Sequence, residues 1–86
     1  MTMLFSDCKT LDLHGETREI ARILVNEFID DCYRMKEEKV IIIHGIGSGI
    51  LRKEVSNVLK HNPKVAHYSI DFFNAGQTIV ELKDNV

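Results

Sequence analysis

Residues 40–45 read Val-Ile-Ile-Ile-His-Gly, four β-branched residues in a row followed by an imidazole and a glycine. Such a run without polar alternation is typical of an interior parallel strand that is covered on both faces. Upstream, residues 10–15 read Thr-Leu-Asp-Leu-His-Gly, in which Leu11 and Leu13 alternate with polar residues as in a short strand with one buried side. The sequence therefore predicts two strands that both end in His-Gly.

Two amphipathic helices are predicted after these strands. The first begins at Thr17, a good N-cap residue, and has apolar residues every three or four positions: Ile20, Leu24, Phe28, Cys32 and Met35. The second follows the glycine-rich segment 45–49, ends before Pro63, and has its apolar positions at Leu51, Val55, Val58 and Leu59. About 26 residues, including the first helix, separate the two strands, which is the length of a βαβ crossover. We therefore expect the strands to be parallel neighbours.

The C-terminal third predicts two more strands. Residues 65–73 and 78–82 have strand-like composition, and the short connection 74–77 contains a glycine, as hairpin turns do. The predicted order is βαβαββ. Because parallel crossovers are right-handed, both helices are expected on one face of the sheet. The predicted fold is a single α/β domain over residues 1–86, a two-layer sandwich with a four-stranded mixed sheet.

Composition restricts the possible functions. A chain of 86 residues has room for one hydrophobic core. Its net charge of -2 argues against binding duplex nucleic acid through overall positive charge, so any phosphate site should be local. Cys8 and Cys32 are far apart and no leader-like segment precedes the fold, which predicts free thiols and a cytoplasmic location. The apolar run 40–43 is far shorter than the roughly 20 residues of a membrane span, so no membrane role is predicted.

The predicted strand ends form a candidate catalytic site. Ligands of open α/β sheets bind at the carboxyl ends of the strands, and neighbouring strands lie about 4.8 Å apart. We therefore expect His14 and His44 to face one bound group, with Asp12 on the same face as His14. Histidine titrates near neutral pH, so the two rings are candidates for an acid and base pair acting on a phosphodiester. Asp12 would orient an imidazole or contact the substrate.

The second helix supplies a candidate phosphate site. Its first N–H groups are unpaired and carry the positive end of the helix dipole. Two cationic side chains in its first turn are expected to reach the same anion. The predicted nucleic-acid-binding residues are Gly45, Gly47, Ser48, Gly49, Arg52 and Lys53.

Each of these residues also has a plainer structural interpretation. A histidine before a glycine is about as often a hydrogen-bonding partner of the turn, and Asp12 also fits the cap of a helix end or a solvated charge. Arg52 and Lys53 fit an ordinary solvated helix face. Segment 45–49 has neither the dinucleotide spacing nor a P-loop lysine, which disfavours nucleotide cofactors. The aromatic residues of 68–73 are more typical of core packing than of base stacking.

These motifs resemble the Smr (small MutS-related) domain family over nearly the whole chain. The resemblance rests on Leu-Asp-Leu-His-Gly at 11–15, on His-Gly-Ile-Gly-Ser-Gly-Ile-Leu-Arg at 44–52, and more weakly on Gly-Gln-Thr-Ile-Val-Glu-Leu at 76–82. It implies a fold similar to the C-terminal domain of translation initiation factor three. It also implies an endonuclease that nicks DNA or cleaves RNA, in some relatives on the ribosome. The family's Asp-x-His and His-Gly-x-Gly motifs match residues 12–14 and 44–47.

One position departs from the family pattern. Ile46 stands where the family usually carries lysine, and losing one charge-assisted phosphate contact costs on the order of 1.5 to 3 kcal/mol. The alternative function is therefore a catalytically weak or inactive module that binds nucleic acid, the ribosome or a protein. A third is an unrelated enzyme of small phosphorylated substrates.

An acid and base pair of histidines needs no cofactor, whereas Mg²⁺ or Mn²⁺ is required if Asp12 holds a metal. The sequence predicts no oligomeric state.

Overall fold

The computed structural model describes residues 8–85, so the ends of the predicted domain, 1–7 and 86, lie outside the described residues. The element order βαβαββ is confirmed. The elements are β1 (Lys9–Asp12), α1 (Arg18–Arg34), β2 (Lys39–Ile43), α2 (Ile50–Lys60), β3 (Val65–Asp71) and β4 (Asn74–Leu82). Neither helix within residues 8–85 has the length and hydropathy needed to cross a bilayer.

The four strands form one mixed sheet in the order β1-β2-β4-β3. β1 and β2 are parallel neighbours, with Leu11 opposite Ile42, which confirms the crossover expected from the spacing. β4 runs antiparallel to both β2 and β3. The β-branched run of β2 is therefore interior, and the carboxyl ends of β1 and β2 lie side by side at one edge of the sheet.

Both helices pack on one face of this sheet around a single core. The core consists of alternate residues of the strands and of one row of residues along each helix. Its buried helical residues are Ala21, Val25, Ile29 and Cys32 on α1, and Val55, Val58 and Leu59 on α2. The row on α1 is displaced from the predicted one, since Ile20 and Met35 are 44% and 58% exposed. The apolar stripe of a core helix is wide enough to hold two neighbouring rows of residues with the same period. The period alone therefore does not show which row is buried.

The hairpin turn lies earlier than predicted. It is formed by residues 72–73 and not by 74–77, which belong to β4. The reason is the buried carboxylate of Asp71: its Oδ1 accepts the backbone N–H of Phe73 at 2.9 Å, and its Oδ2 accepts the side-chain amide of Gln77 at 2.8 Å. An aspartate that binds the backbone two residues on forms a turn without glycine.

Gly76, which the sequence predicted as a turn residue, serves close packing between β4 and β2. Its carbonyl oxygen accepts the N–H groups of His44 and Gly45, both at 2.9 Å. A Cβ atom at this position would lie 3.2 Å from Oδ1 of Asn74. The absence of a side chain therefore leaves room for the Asn74 amide, whose Oδ1 accepts the Gly76 N–H at 3.0 Å.

Candidate functional site

His14 lies in a tight turn that follows the end of β1. The N–H of Glu16 donates to the carbonyl of Leu13 at 3.0 Å, and Gly15 has a φ of 83°, as at the third position of a type II turn. Asp12 supports the turn, because its Oδ1 accepts the backbone N–H of His14 at 2.9 Å. The imidazole of His14 is exposed to solvent. Asp12 thus fixes the backbone that carries the ring.

His44 has very different surroundings at the end of β2. It is 5% exposed, its Nε2 lies 2.9 Å from the hydroxyl of Thr78, and its Nδ1 lies 3.0 Å from the carbonyl oxygen of Gly45. A carbonyl only accepts, so Nδ1 carries a proton, and in the neutral ring Nε2 accepts the Thr78 O–H. Both ring nitrogens are therefore engaged by the chain itself.

The sheet register separates Asp12 from His44. Asp12 pairs with Ile43, whereas Thr78, the partner of the His44 ring, pairs with Ile42. Consecutive residues of a strand point to opposite faces, and paired residues point to the same face. Asp12 therefore lies on the open face and His44 on the face that carries the helices. The strand ends come together as expected, but the side chains do not form the single cluster that the sequence predicted.

The first turns of the two helices meet at an open cleft of about 390 Å³, which is lined by residues 16–18, residues 46–51 and His44. The hydroxyl of Thr17 caps α1 by accepting the N–H of Ile20 at 3.2 Å. α2 begins after Gly49, which has no side chain to act as a cap. The N–H of Ile50 donates to the hydroxyl of Ser48 at 3.4 Å, whereas the next N–H groups of the first turn have no partner within the helix. Two helix dipoles direct their positive ends toward the cleft. The arrangement suits a phosphate group.

The predicted phosphate-binding residues differ in their positions. Gly47, Ser48 and Gly49 line the cleft, whereas the backbone of Gly45 is bonded to β4. The guanidinium of Arg52 turns back over the loop, since a Cβ atom at Gly49 would lie 3.4 Å from its Nη2. Lys53 does not line the cleft but an adjoining depression, which shares Arg18 and Ile50 with it. Arg52 is therefore the better placed of the two predicted cations.

Arg18 was missed by the sequence reasoning. It lines the cleft, and its ion pair with Glu19 at 3.9 Å joins two exposed side chains and is weak. Arg18 follows the N-cap residue Thr17, so its position in the first helical turn was the available signal. A residue in that turn lies at the same edge of the sheet as the end of β1.

The possibility that Asp12 holds Mg²⁺ or Mn²⁺ can be judged from the donor set. Within residues 8–85, no three side chains of His, Cys, Asp or Glu are grouped so that they could hold a metal ion. One oxygen of Asp12 is already bonded to the His14 N–H. The side chains present do not fit a metal held by the protein alone, and we assign no metal ligand.

Sequence comparison identifies relatives across the whole described fold. The family model of the Smr domain matches residues 11–83. Endonuclease MutS2 of Caldicellulosiruptor bescii is 36% identical over 78 residues, covering 87% of this chain and 10% of the relative. Endonuclease MutS2 of Halothermothrix orenii is 40% identical over 77 residues, covering 86% of this chain and 10% of the relative. The chain thus spans about a tenth of the length of these curated relatives.

Two solved structures share the fold. The Smr domain of Thermus thermophilus MutS2 superposes with a TM-score of 0.84 at 24% identity, covering 87% of this chain and 98% of that one. YdaL, a stand-alone small MutS-related protein from Escherichia coli, gives a TM-score of 0.83 at 26% identity, covering 87% of this chain and 64% of that one. Both the predicted fold and the predicted resemblance are confirmed. On the family match and the shared fold together, the chain belongs to the Smr domain family.

Proposed function

We propose that this domain binds nucleic acid at the carboxyl edge of its sheet and cleaves the phosphodiester backbone as an endonuclease. The observation that carries the proposal is the exposed imidazole of His14, which stands at the end of β1 beside the loop that opens α2. His14 does not itself line the cleft between the two helix N-termini, but the lining begins at Glu16, two residues further along the chain, and such a cleft suits the anion on which a base of this kind would act. The relatives named Endonuclease MutS2 support the same reaction class.

The proposal gives different roles to the two histidines. His14 is the catalytic residue that moves a proton, because its ring is open to substrate and an imidazole can both accept and donate a proton. His44 is a positioning residue, because its ring binds Thr78 and the Gly45 carbonyl and so holds the start of the glycine loop. Asp12 positions the His14 turn through the backbone. This assignment replaces the pair of equivalent rings expected from the sequence.

Arg18 and Arg52 would neutralise the bound phosphate together with the first N–H groups of α2. Guanidinium groups bind phosphate oxygens with charge-assisted hydrogen bonds, and both side chains belong to first helical turns at this edge of the sheet. Two focal cations are compatible with a chain whose net charge is -2, since the rest of the surface does not have to attract the polymer. We therefore expect binding that is local and sensitive to salt.

The test compares the wild-type protein with His14→Ala and His67→Ala. His67 is an exposed histidine on β3, away from the cleft, and so is a matched control. Labelled single-stranded RNA, single-stranded DNA and nicked duplex are incubated with excess protein, with EDTA or with Mg²⁺ or Mn²⁺. Removing a general acid or base typically slows a reaction by about 10²- to 10⁴-fold. We expect that loss for His14→Ala, with binding retained, and no loss for His67→Ala.

The termini of the products identify the mechanism. Cleavage that requires a 2′-hydroxyl and survives EDTA indicates proton transfer by side chains on RNA, whereas cleavage that EDTA abolishes indicates a metal-assisted reaction. Full cleavage by His14→Ala would contradict the assigned role of that residue. Wild-type protein that binds both polymers but leaves them intact under every condition would contradict the endonuclease.

A second candidate function is binding without cleavage. It is favoured by Ile46, which is 74% exposed in the cleft-lining loop at the position where the family usually carries lysine. A hydrophobic side chain there has no positive charge and no hydrogen-bond donor with which to bind a phosphate. This candidate predicts saturable binding with no products, and unchanged binding when Asp12 is replaced by Asn. The termini experiment separates the two candidates directly.

A further inference from the structure

The tip of the hairpin between β3 and β4 exposes two aromatic rings. Phe72 and Phe73 are 91% and 89% exposed, with ring centroids 5.1 Å apart and ring planes at 88°. Tight hairpin turns usually contain small or polar residues, so this pair is unexpected from turn chemistry. Neither ring belongs to the hydrophobic core, to which the two strands of the hairpin contribute other residues. The rings are therefore candidates for contact with something outside the chain.

The turn that carries the two rings is held by hydrogen bonds to Asp71. Asp71 is 6% exposed, and its two carboxylate oxygens accept the N–H of Phe73 and the side-chain amide of Gln77. These bonds fix the backbone of the turn. Contact surfaces that are ordered in advance lose less conformational entropy when they bind. The backbone that carries the two rings is thus preorganised.

The tip lies at the same edge of the sheet as the proposed phosphate cleft. Ile43 at the end of β2 pairs with Gln77, and the carbonyl of Gly76 binds the N–H groups of His44 and Gly45. Residues 72–73 precede this point on β4, so they extend past the end of β2 beside the glycine loop. In the sheet order, that loop lies between the His14 turn and the tip. With strands about 4.8 Å apart, the three features fall within about 15 Å along the edge.

We propose that Phe72 and Phe73 form a stacking subsite for an unpaired base of a single strand whose phosphate lies in the helix N-terminal cleft. The inference rests on the proposed function, because it requires that nucleic acid binds at this edge. Aromatic rings stack on the faces of all bases, and only unpaired bases have free faces to offer. The tip and the first four residues of β4, residues 72–77 together, contain no charged side chain that would repel a polyanion. The subsite therefore directs the domain toward single-stranded segments.

The experiment measures binding of a labelled 12-nucleotide single strand by fluorescence anisotropy. It compares wild-type protein with Phe72→Ala/Phe73→Ala and with Met35→Ala. Met35 is an exposed apolar residue at the C-terminal end of α1, at the opposite edge of the sheet, and so is the matched control. A stacked base contributes enough that we expect about a fivefold to hundredfold loss for the double variant. A strand of the same length with abasic sugars should bind equally to all three proteins.

Each result has a distinct meaning. If wild-type protein binds the strand and the double variant binds it as well as Met35→Ala does, the stacking subsite is wrong, the proposed function stands, and the tip is left for a protein contact. If the double variant loses affinity equally for the normal and abasic strands, stacking is also excluded. If wild-type protein binds no strand at all, the proposed function and this inference fail together.

A second variant tests base stacking by fluorescence, so that the test does not depend on a change in affinity. The chain has no tryptophan, so Phe73→Trp introduces a single indole at the tip. We expect its fluorescence to be quenched by the normal strand at saturation and unchanged by the abasic strand. Tryptophan preserves an aromatic face, so this variant should bind with near wild-type affinity. Saturable binding without a difference in quenching between the two strands would overturn the proposal.

Discussion

The ring of His44 and the hydroxyl of Thr78 form a buried hydrogen bond of 2.9 Å between the end of β2 and the middle of β4. Thr78 is fully buried and His44 nearly so. Together with the two bonds from the backbone N–H groups of His44 and Gly45 to Gly76, this contact fixes the start of the glycine loop. The geometry of the cleft thus depends on a polar pair inside the fold and not only on residues that face the ligand.

Replacing Thr78 with valine should destabilise the domain by about 1 to 3 kcal/mol, because a buried imidazole nitrogen is left without a partner. Thr78→Ser keeps the hydroxyl and should lose less. Urea unfolding of the three proteins measures the difference, with an unchanged m-value showing that the same surface is exposed. Equal midpoints for wild type and Thr78→Val would show that the hydrogen bond does not contribute to stability.

Gly15→Ala should destabilise the domain by about 1 to 2 kcal/mol, because the φ of 83° at this position is unfavourable for a residue with a Cβ atom. Space is not the reason, since a Cβ atom there would meet nothing within 4 Å. Gly47 is the matched control: it has equal space but not a positive φ. Gly47→Ala should be neutral or slightly stabilising in thermal unfolding. A similar loss for both variants would contradict the assignment of strain to the His14 turn.

The elements could be predicted because local patterns determine them. The β-branched run at 40–43 marked the interior strand, and Thr17 marked the start of α1. The hairpin turn could not be placed, because Gly76 is a typical turn residue and the stabilising group is the carboxylate of Asp71. Its bonds to Phe73 and Gln77 follow from folding of the hairpin, and alternation of polar residues does not reveal them.

The candidate site was predictable only in its location. A crossover of known length places the ends of β1 and β2 together, and the structure confirms that placement. The different surroundings of the two histidines could not be predicted. The partner of His44 is 34 residues away on a strand whose register depends on the hairpin. His14 differs because its turn leaves the sheet before a partner strand can cover it.

The stability of the domain should fall as the pH rises from 9 to 11, in part because of Cys32. Burial, and to a smaller extent the Glu37 carboxylate, raise the pKa of this thiol from 9.0 to about 11. In that interval the folded protein keeps the thiol proton while the unfolded chain loses it, so deprotonation favours unfolding. Below pH 9 both states are protonated and the contribution is constant. Cys32→Ala should therefore show a shallower loss of unfolding free energy over this range in urea titrations, and an identical slope would contradict the shifted pKa.

Ile46→Lys should strengthen nucleic-acid binding, because it places a cation in the loop that lines the helix N-terminal cleft. Ile46 is 74% exposed, so the new ammonium group stays hydrated and an exposed contact contributes about 1 kcal/mol, roughly a fivefold lower Kd at low salt. Ile23→Lys, on an exposed position of α1 outside the cleft, changes the net charge equally and is the control. Titrations at several salt concentrations distinguish the two variants. One additional phosphate contact should steepen the dependence of log K on log salt by about 0.7 to 0.9 for Ile46→Lys alone. Equal gains for both variants would mean that overall charge, and not the cleft, controls binding.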